Sequence, residues 1–183
     1  MFDYLDCDPT PTASNGDEVE AGETVLEASG RAREVLRGER TAANLVGHAA
    51  GVATRTRRAV RAARTASESV RVAATRKTTP GLRGVEKRAV AAGGGDTHRL
   101  TLSGLVMVKD NHIAELGLLD NLPPTAVREA VERVPDGVLT EASGGITVDS
   151  LPAYAETGVD VVSMGSLAHS APSLDVSFRT DGR

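Results

Sequence analysis

From residue 70 onward, short apolar runs alternate with stretches of helical periodicity, and this order constrains the fold more than any other feature of the chain. Runs at 70–74 (VRVAA), 105–109, 118–119, 138–141 and 159–164 read as strands, and 85–92, 125–134 and 148–156 carry the spacing of helices. Strand, helix, strand order calls for parallel pairing, so the sequence predicts an α/β architecture. The polar and glycine-rich residues fall just past the strand ends, where β/α barrels and open α/β sheets place their sites. One interval breaks the rule. Only eight residues separate Lys109 from Leu118, whereas a parallel crossover takes roughly a dozen or more and normally contains a helix. A piece of the alternation is missing there.

Upstream, 31–74 is rich in Ala, Arg and Glu and free of proline, which predicts two or three helices bending at Gly47 and Gly51. Residues 16–30 read as a hairpin-like or sandwich fragment. Residues 1–15 are polar, proline-containing and aperiodic, and are expected to form a loose terminus or the remnant of something larger. With aromatics at 2% and no Trp, the core has to be built from Ala, Val and Leu, and 183 residues suffice for one sizeable core plus a small appended unit.

The formal charge of −4 argues against a nucleic-acid partner, since such partners select a basic excess. Cys7 alone excludes an internal disulfide and fits a reducing compartment. The first residues lack the basic and apolar pattern of a signal peptide, and no apolar run nears the ~20 residues that span a membrane. A cytoplasmic protein without membrane association is expected.

Three segments carry chemistry. At 75–83 (TRKTTPGLR) three cations and three hydroxyls follow a strand directly, and Pro80-Gly81 turns the chain so that both ends face one ligand. Arg grips carboxylate or phosphate bidentately and Lys supplies a compact charge. Gly93-Gly94-Gly95 permits close backbone approach to an anion, with His98 and Arg99 adding donors. At 109–113 (KDNHI) a dense polar group ends an apolar strand. Taken singly, each has a bland counterpart: a solvated basic loop, a flexible glycine run and a helix cap.

In this order and spacing, however, the three segments resemble those of the quinolinate phosphoribosyltransferases, also called nicotinate-nucleotide pyrophosphorylases. The resemblance extends upstream to 39–44 (ERTAAN) and 51–54 (GVAT), and downstream to 119–121 (LDN), 141–146 (EASGGI), 157–160 (TGVD) and 164–167 (MGSL). It implies an incomplete β/α barrel of the type II phosphoribosyltransferase kind over 39–183, shortened between 113 and 118, with 1–38 a remnant of an N-terminal α/β sandwich domain. It also implies the reaction of quinolinate with phosphoribosyl pyrophosphate to nicotinate mononucleotide, pyrophosphate and CO2, a step of NAD biosynthesis. By resemblance Thr75, Arg76, Lys77, His98, Arg99 and Lys109 surround the quinolinate carboxylates or the pyrophosphate. Arg40 reaches into the site of a second subunit in a homodimer or higher homo-oligomer. Asp120 lies near the ribose and Mg²⁺, which is held through the pyrophosphate rather than by a protein cluster. Ser143-Gly144-Gly145 and Gly165-Ser166-Leu167 cradle the 5′-phosphate. Lys77, Lys109 and Asp120 are the implied catalytic residues.

The chain departs from the family where Ile113 to Gly117 joins directly to Leu118-Leu119-Asp120. The family has there a further strand bearing a glutamate near the reacting centre. This leaves a second class of function open, a shortened paralogue that binds an anionic ligand, or pairs with a full-length subunit, without turnover.

Overall fold

The structure, a computed structural model, describes residues 1–97, 118–135 and 137–180. The strand expected at 105–109 lies outside the described residues. The chain divides into two compact units, Met1–Gly51 with Pro172–Arg183, and Val52–Ala171. No described helix is long and apolar enough to cross a membrane.

In the first unit, strand β1 (Asp8–Pro11) pairs antiparallel with β2 (Leu26–Ser29), in register from Asp8 opposite Ser29 to Pro11 opposite Leu26. The expectation of a loose terminus at 1–15 is therefore corrected. Phe2 and Cys7 are 5% and 3% exposed and pack with Val35, Leu5 and Leu26. Two prolines disguise β1 in the sequence; proline is tolerated here because the pair has only edge strands. Within 16–30 one strand forms, β2, and it pairs back to β1 rather than within the fragment.

Helix α1 (Ala32–Arg64) is a single helix of 33 residues rather than two or three. It runs through residue 38, where the sequence suggests a domain boundary, and through both glycines expected to bend it. A Cβ on Gly47 would stand 2.7 Å from the Leu174 carbonyl oxygen, and one on Gly51 would fall on that of Pro172. Leu174 N–H donates to the Gly47 carbonyl at 3.0 Å. These glycines admit a crossing segment of backbone, which outweighs the ~1 kcal/mol each costs in a helix.

In the second unit, β3 (Arg71–Ala74), β4 (Leu118–Asp120), β5 (Glu141–Ser143) and β6 (Val161–Met164) form a parallel sheet in the order β3-β6-β5-β4. Asp96 makes a further parallel bridge to Ala73 on the free side of β3. Helices α2 (Arg83–Ala92), α3 (Pro124–Val131) and α4 (Leu151–Ala155) lie between successive described strands in sequence, as the alternation requires, and α5 (Ser166–His169) follows β6. The strand expected at 138–141 starts only at Glu141; Val138 and Leu139 are exposed and the edge of the sheet is reached at Thr140.

Successive residues of a strand face opposite sides of the sheet. Val72, Val162 and Ala142 stand in one row and join Val127, Leu151, Met164 and Leu167 in the apolar core. The next row, Ala73, Ser163, Ser143 and Asp120, faces the other way. It is the polar face of the sheet.

Candidate active site

All four strands run parallel and in register, so their C-terminal ends share one edge. Ala74 is level with Met164, and Asp120 with Ser143 and Ser163. Thr75, Asp120, Ser143 and Gly165, drawn from places up to 90 residues apart in sequence, are brought to that edge by the register alone.

The cationic loop follows β3. Thr75 Oγ1 accepts the Lys77 N–H at 3.1 Å, and a Cβ placed on Gly165 would lie 3.2 Å from Lys77 Cδ, 3.3 Å from Thr75 Oγ1 and 3.1 Å from His169 Nε2. The Lys77 side chain thus lies over the turn that follows β6, beside Gly165. Lys77 is exposed and Arg76 half-buried. Arg83, the third cation of the segment, has a different task. Its Nε donates to Thr78 Oγ1 and its Nη2 to the Arg76 carbonyl, each at 3.1 Å. Its guanidinium holds the loop through these two bonds.

At the end of β4, Asp120 accepts a bond from Asn121 Nδ2 at 3.2 Å. Asn121 takes the left-handed conformation with φ 55°, and its N–H donates to the Ser143 carbonyl at 2.8 Å. Gly144 (φ 96°) and Gly145 (φ 62°) follow in left-handed backbone, which glycine adopts without steric cost. A Cβ on Gly144 would lie 2.7 Å from Asn121 N, so the loops after β4 and β5 are in direct contact.

Two side-chain hydroxyls at this edge, those of Ser163 and Ser166, are buried without a hydrogen-bond partner. Ser163 is 3% exposed and stands on the polar face between Ala73 and Ser143. Neither Ser163 nor His169 was singled out from the sequence. A lone serine in VVSM reads as part of a buried strand, and its facing emerges only from the register with Ser143 and Asp120.

Two glycines of the run 93–95 pack against α1. A Cβ on Gly93 would stand 2.7 Å from Thr56 Cβ, and one on Gly95 would stand 2.5 Å from Thr56 Cγ2 and 3.0 Å from Val90 Cγ1. Gly93 and Gly95 thus allow a close approach to α1, while Gly94, in left-handed backbone with φ 84°, has open space around it. Arg40 lies on α1, exposed, with Nη2 3.4 Å from Glu39 Oε1. Three implied site residues, His98, Arg99 and Lys109, lie outside the described residues. Among the described residues no group of three or more His, Cys, Asp or Glu is placed to hold a metal ion; Asp120 offers one carboxylate.

The opposite edge of the sheet is built for stability. Asp160 Oδ2 accepts the Thr140 N–H at 2.7 Å and its hydroxyl at 2.8 Å, and the Thr140 hydroxyl in turn accepts the Asp160 N–H at 3.1 Å. These bonds, the Thr140 backbone bond foremost, with a smaller contribution from the Arg71 charge, hold the Asp160 carboxyl below its ordinary value against the opposing effect of burial.

Comparison with known proteins gives the family. The family described as quinolinate phosphoribosyl transferase, C-terminal domain, matches residues 52–119 and 114–179, and the N-terminal domain of the same family matches residues 1–50. The N-terminal match includes 1–15, the segment that the sequence reads as polar and aperiodic. A probable nicotinate-nucleotide pyrophosphorylase [carboxylating] of Methanothermobacter thermautotrophicus is 39% identical, with 92% of this chain and 76% of the relative covered. One from Bacillus subtilis is 40% identical over 90% of this chain and 70% of the relative. The crystal structure of NadC from Streptococcus pyogenes superposes with a TM-score of 0.87 at 31% identity, over 98% of this chain and 78% of that one. The C-terminal match comes in two segments that meet at 114–119, the interval the sequence marked as too short. The archaeal alignment spans 213 positions against 183 residues here, so it includes at least 30 positions with no counterpart in this chain. Over both of its domains and across that interruption, the chain belongs to the quinolinate phosphoribosyl transferase family.

Proposed function

We propose that this chain is a nicotinate-nucleotide pyrophosphorylase, converting quinolinate and phosphoribosyl pyrophosphate to nicotinate mononucleotide, pyrophosphate and CO2. The observation that carries the reading is the convergence of Thr75, Lys77, Asp120, Ser143 and the turn at Gly165 on one sheet edge, beside two buried hydroxyls without partners. A pair of polyanionic substrates matches that edge: cations for carboxylates and pyrophosphate, hydroxyls and turn N–H groups for the 5′-phosphate.

Arg76 and Lys77, with His98, Arg99 and Lys109, take the quinolinate carboxylates and the departing pyrophosphate. Ser143 to Gly145 and Gly165 to Leu167 take the 5′-phosphate, with Ser166 supplying an unpaired hydroxyl. Asp120 faces the ribose, where a carboxylate favours the positive charge that develops as the pyrophosphate leaves. One carboxylate fits Mg²⁺, which binds through one or two carboxylates plus substrate phosphates; when bound it neutralises the leaving group. Arg40 acts across the interface of a homodimer.

The fold is read as a β/α barrel. Support comes from β3 and β6, the first and last parallel strands of the chain, which pair directly as barrel closure demands. The β1-β2 pair, with the start of α1, is read as part of the α/β sandwich domain. A second reading, binding without turnover, is favoured by the interruption at 114–119. Titration calorimetry with quinolinate, with and without phosphoribosyl pyrophosphate and Mg²⁺, followed by assay for nicotinate mononucleotide, separates the two. Turnover supports the enzyme, and binding alone supports the paralogue. A folded protein that binds neither substrate refutes both.

A further inference from the structure

Helix α2 buries two adjacent charges: Glu86 is 0% and Lys87 1% exposed. Burying an ion costs several kcal/mol unless its polar atoms are well met, and apolar side chains of similar volume would fill this layer without that cost. Their partners explain why charges are there. The Glu86 carboxylate accepts the Thr79 N–H, at 3.3 Å to Oε1 and 3.2 Å to Oε2. Lys87 Nζ donates to the Thr97 carbonyl at 2.5 Å.

Thr79 closes the cationic loop after β3. Thr97 follows Asp96, which bridges to β3 from its other side. The two side chains therefore reach into the two segments that flank β3 at the site edge, one before α2 and one after it. Arg83, one turn before Glu86 and Lys87, adds its two bonds to Thr78 and Arg76. The loop is pinned from behind at three of its five residues, and its remaining cation, Lys77, lies over Gly165.

We propose that Arg83, Glu86 and Lys87 are positioning residues of the anion site: α2 acts as a clamp that fixes the cation-bearing loop of residues 75–79 and the Thr97 strand end before any ligand arrives. A charged acceptor suits this task, because hydrogen bonds to an ionised group are about twice as strong as neutral ones. The Glu86 charge also offsets the mutual repulsion of Arg76, Lys77 and Arg83, which lie within eight residues of one another. Holding a binding group in place beforehand removes the ordering cost from the binding step. The inference rests on the proposed anionic ligand, but the clamp itself is testable without one.

The first readout is hydrogen exchange in the apo protein. Glu86→Leu is expected to speed exchange of the Thr79 amide about tenfold or more, leaving β3 and β6 amides unchanged. Glu86→Gln, which keeps an acceptor, restores most of the protection. If Glu86→Leu does not fold, half-buried Arg83→Met substitutes, with the same expectation for the segment 76–79. Unchanged loop exchange overturns the clamp whether or not ligand binds. The second readout is calorimetric affinity for inorganic pyrophosphate with Mg²⁺. Glu86→Leu is expected to weaken it about tenfold, and the loss should not add to that of Lys77→Ala in the double variant, because the clamp acts through Lys77. Additive losses overturn the positioning role. A wild-type protein that binds neither pyrophosphate nor quinolinate refutes the functional reading, while the exchange result still decides the clamp.

Discussion

If the two edges of the parallel sheet serve different ends, stability and ligand affinity should separate on mutation of Asp160. Asp160→Asn keeps the shape and one acceptor oxygen but removes the charge that receives the Thr140 N–H and hydroxyl at 2.7 and 2.8 Å. Hydrogen bonds to a charged group contribute about 1.5–3 kcal/mol and neutral ones about 1. Two such bonds weakened, at a site still in partial contact with solvent, give a loss of about 1–2 kcal/mol. At 2–4 °C per kcal/mol for a chain of this size, the Tm should fall by about 2–8 °C near neutral pH. The pH dependence follows from the sign of the shift. The folded carboxyl titrates below its ordinary 3.8, so its stabilisation is complete above that value and is lost as pH falls through the lower, folded value. Circular dichroism melts of both proteins should therefore show a gap at neutral pH that narrows once the pH drops below 3.8. Pyrophosphate affinity at neutral pH should be unchanged, since the carboxylate sits at the edge away from the site. A gap that persists or widens in acid, or one accompanied by lost affinity, refutes the assignment.

Other perturbations read the site edge. Ser163→Ala removes a buried hydroxyl without a partner, so thermal melts should show no loss, or a gain of up to ~1 kcal/mol, in contrast to the usual penalty for deleting a hydrogen-bonding group. Gly144→Ala places a Cβ against Asn121 in left-handed backbone; a loss of about 1–3 kcal/mol by denaturant titration is expected. Removing Mg²⁺ with a chelator should weaken pyrophosphate binding in calorimetry, because the single carboxylate of Asp120 leaves most of the neutralisation to the ion.

The α/β alternation was legible because strand and helix periods differ and their order dictates parallel pairing. What escaped the sequence has partners remote in the chain. Gly47 and Gly51 look like bends until Leu174 and Pro172 are seen against them, and nothing in the run at 93–95 announces that Gly93 and Gly95 pack on Thr56. β1 was hidden by two prolines. Within the site, the order of the linked motifs pointed to Thr75, Lys77, Asp120, Ser143 and Gly165, and the structure brings these to one edge. It could not separate Lys77, which lies over Gly165, from Arg83, whose donors are taken up by the loop. Nor could it find Ser163, whose facing is a property of strand register.

The interruption at 114–119 lies immediately upstream of β4, yet β4 stands in register with β5. The contacts that fix it are downstream: Asn121 N–H on the Ser143 carbonyl at 2.8 Å, and the Tyr154 hydroxyl on the Leu122 carbonyl at 3.0 Å. A strand placed by its downstream neighbours does not depend on the length of chain before it, so Asp120 stays level with Ser143 and Ser163. A carboxylate carried inside the absent segment has no such substitute, and the family resemblance puts a glutamate there. A group that acts on charge developing in the transition state contributes ~3 kcal/mol to the barrier and little to ground-state binding. The chain is therefore expected to lose rate before affinity: kcat should be ~10²-fold or more below that of a full-length relative, with the pyrophosphate Kd within about tenfold. Parallel steady-state and calorimetric measurements on the two proteins decide it. A matched loss in kcat and Kd would mean that the interruption disturbs the binding edge as well, and that the downstream contacts do not hold β4 as argued.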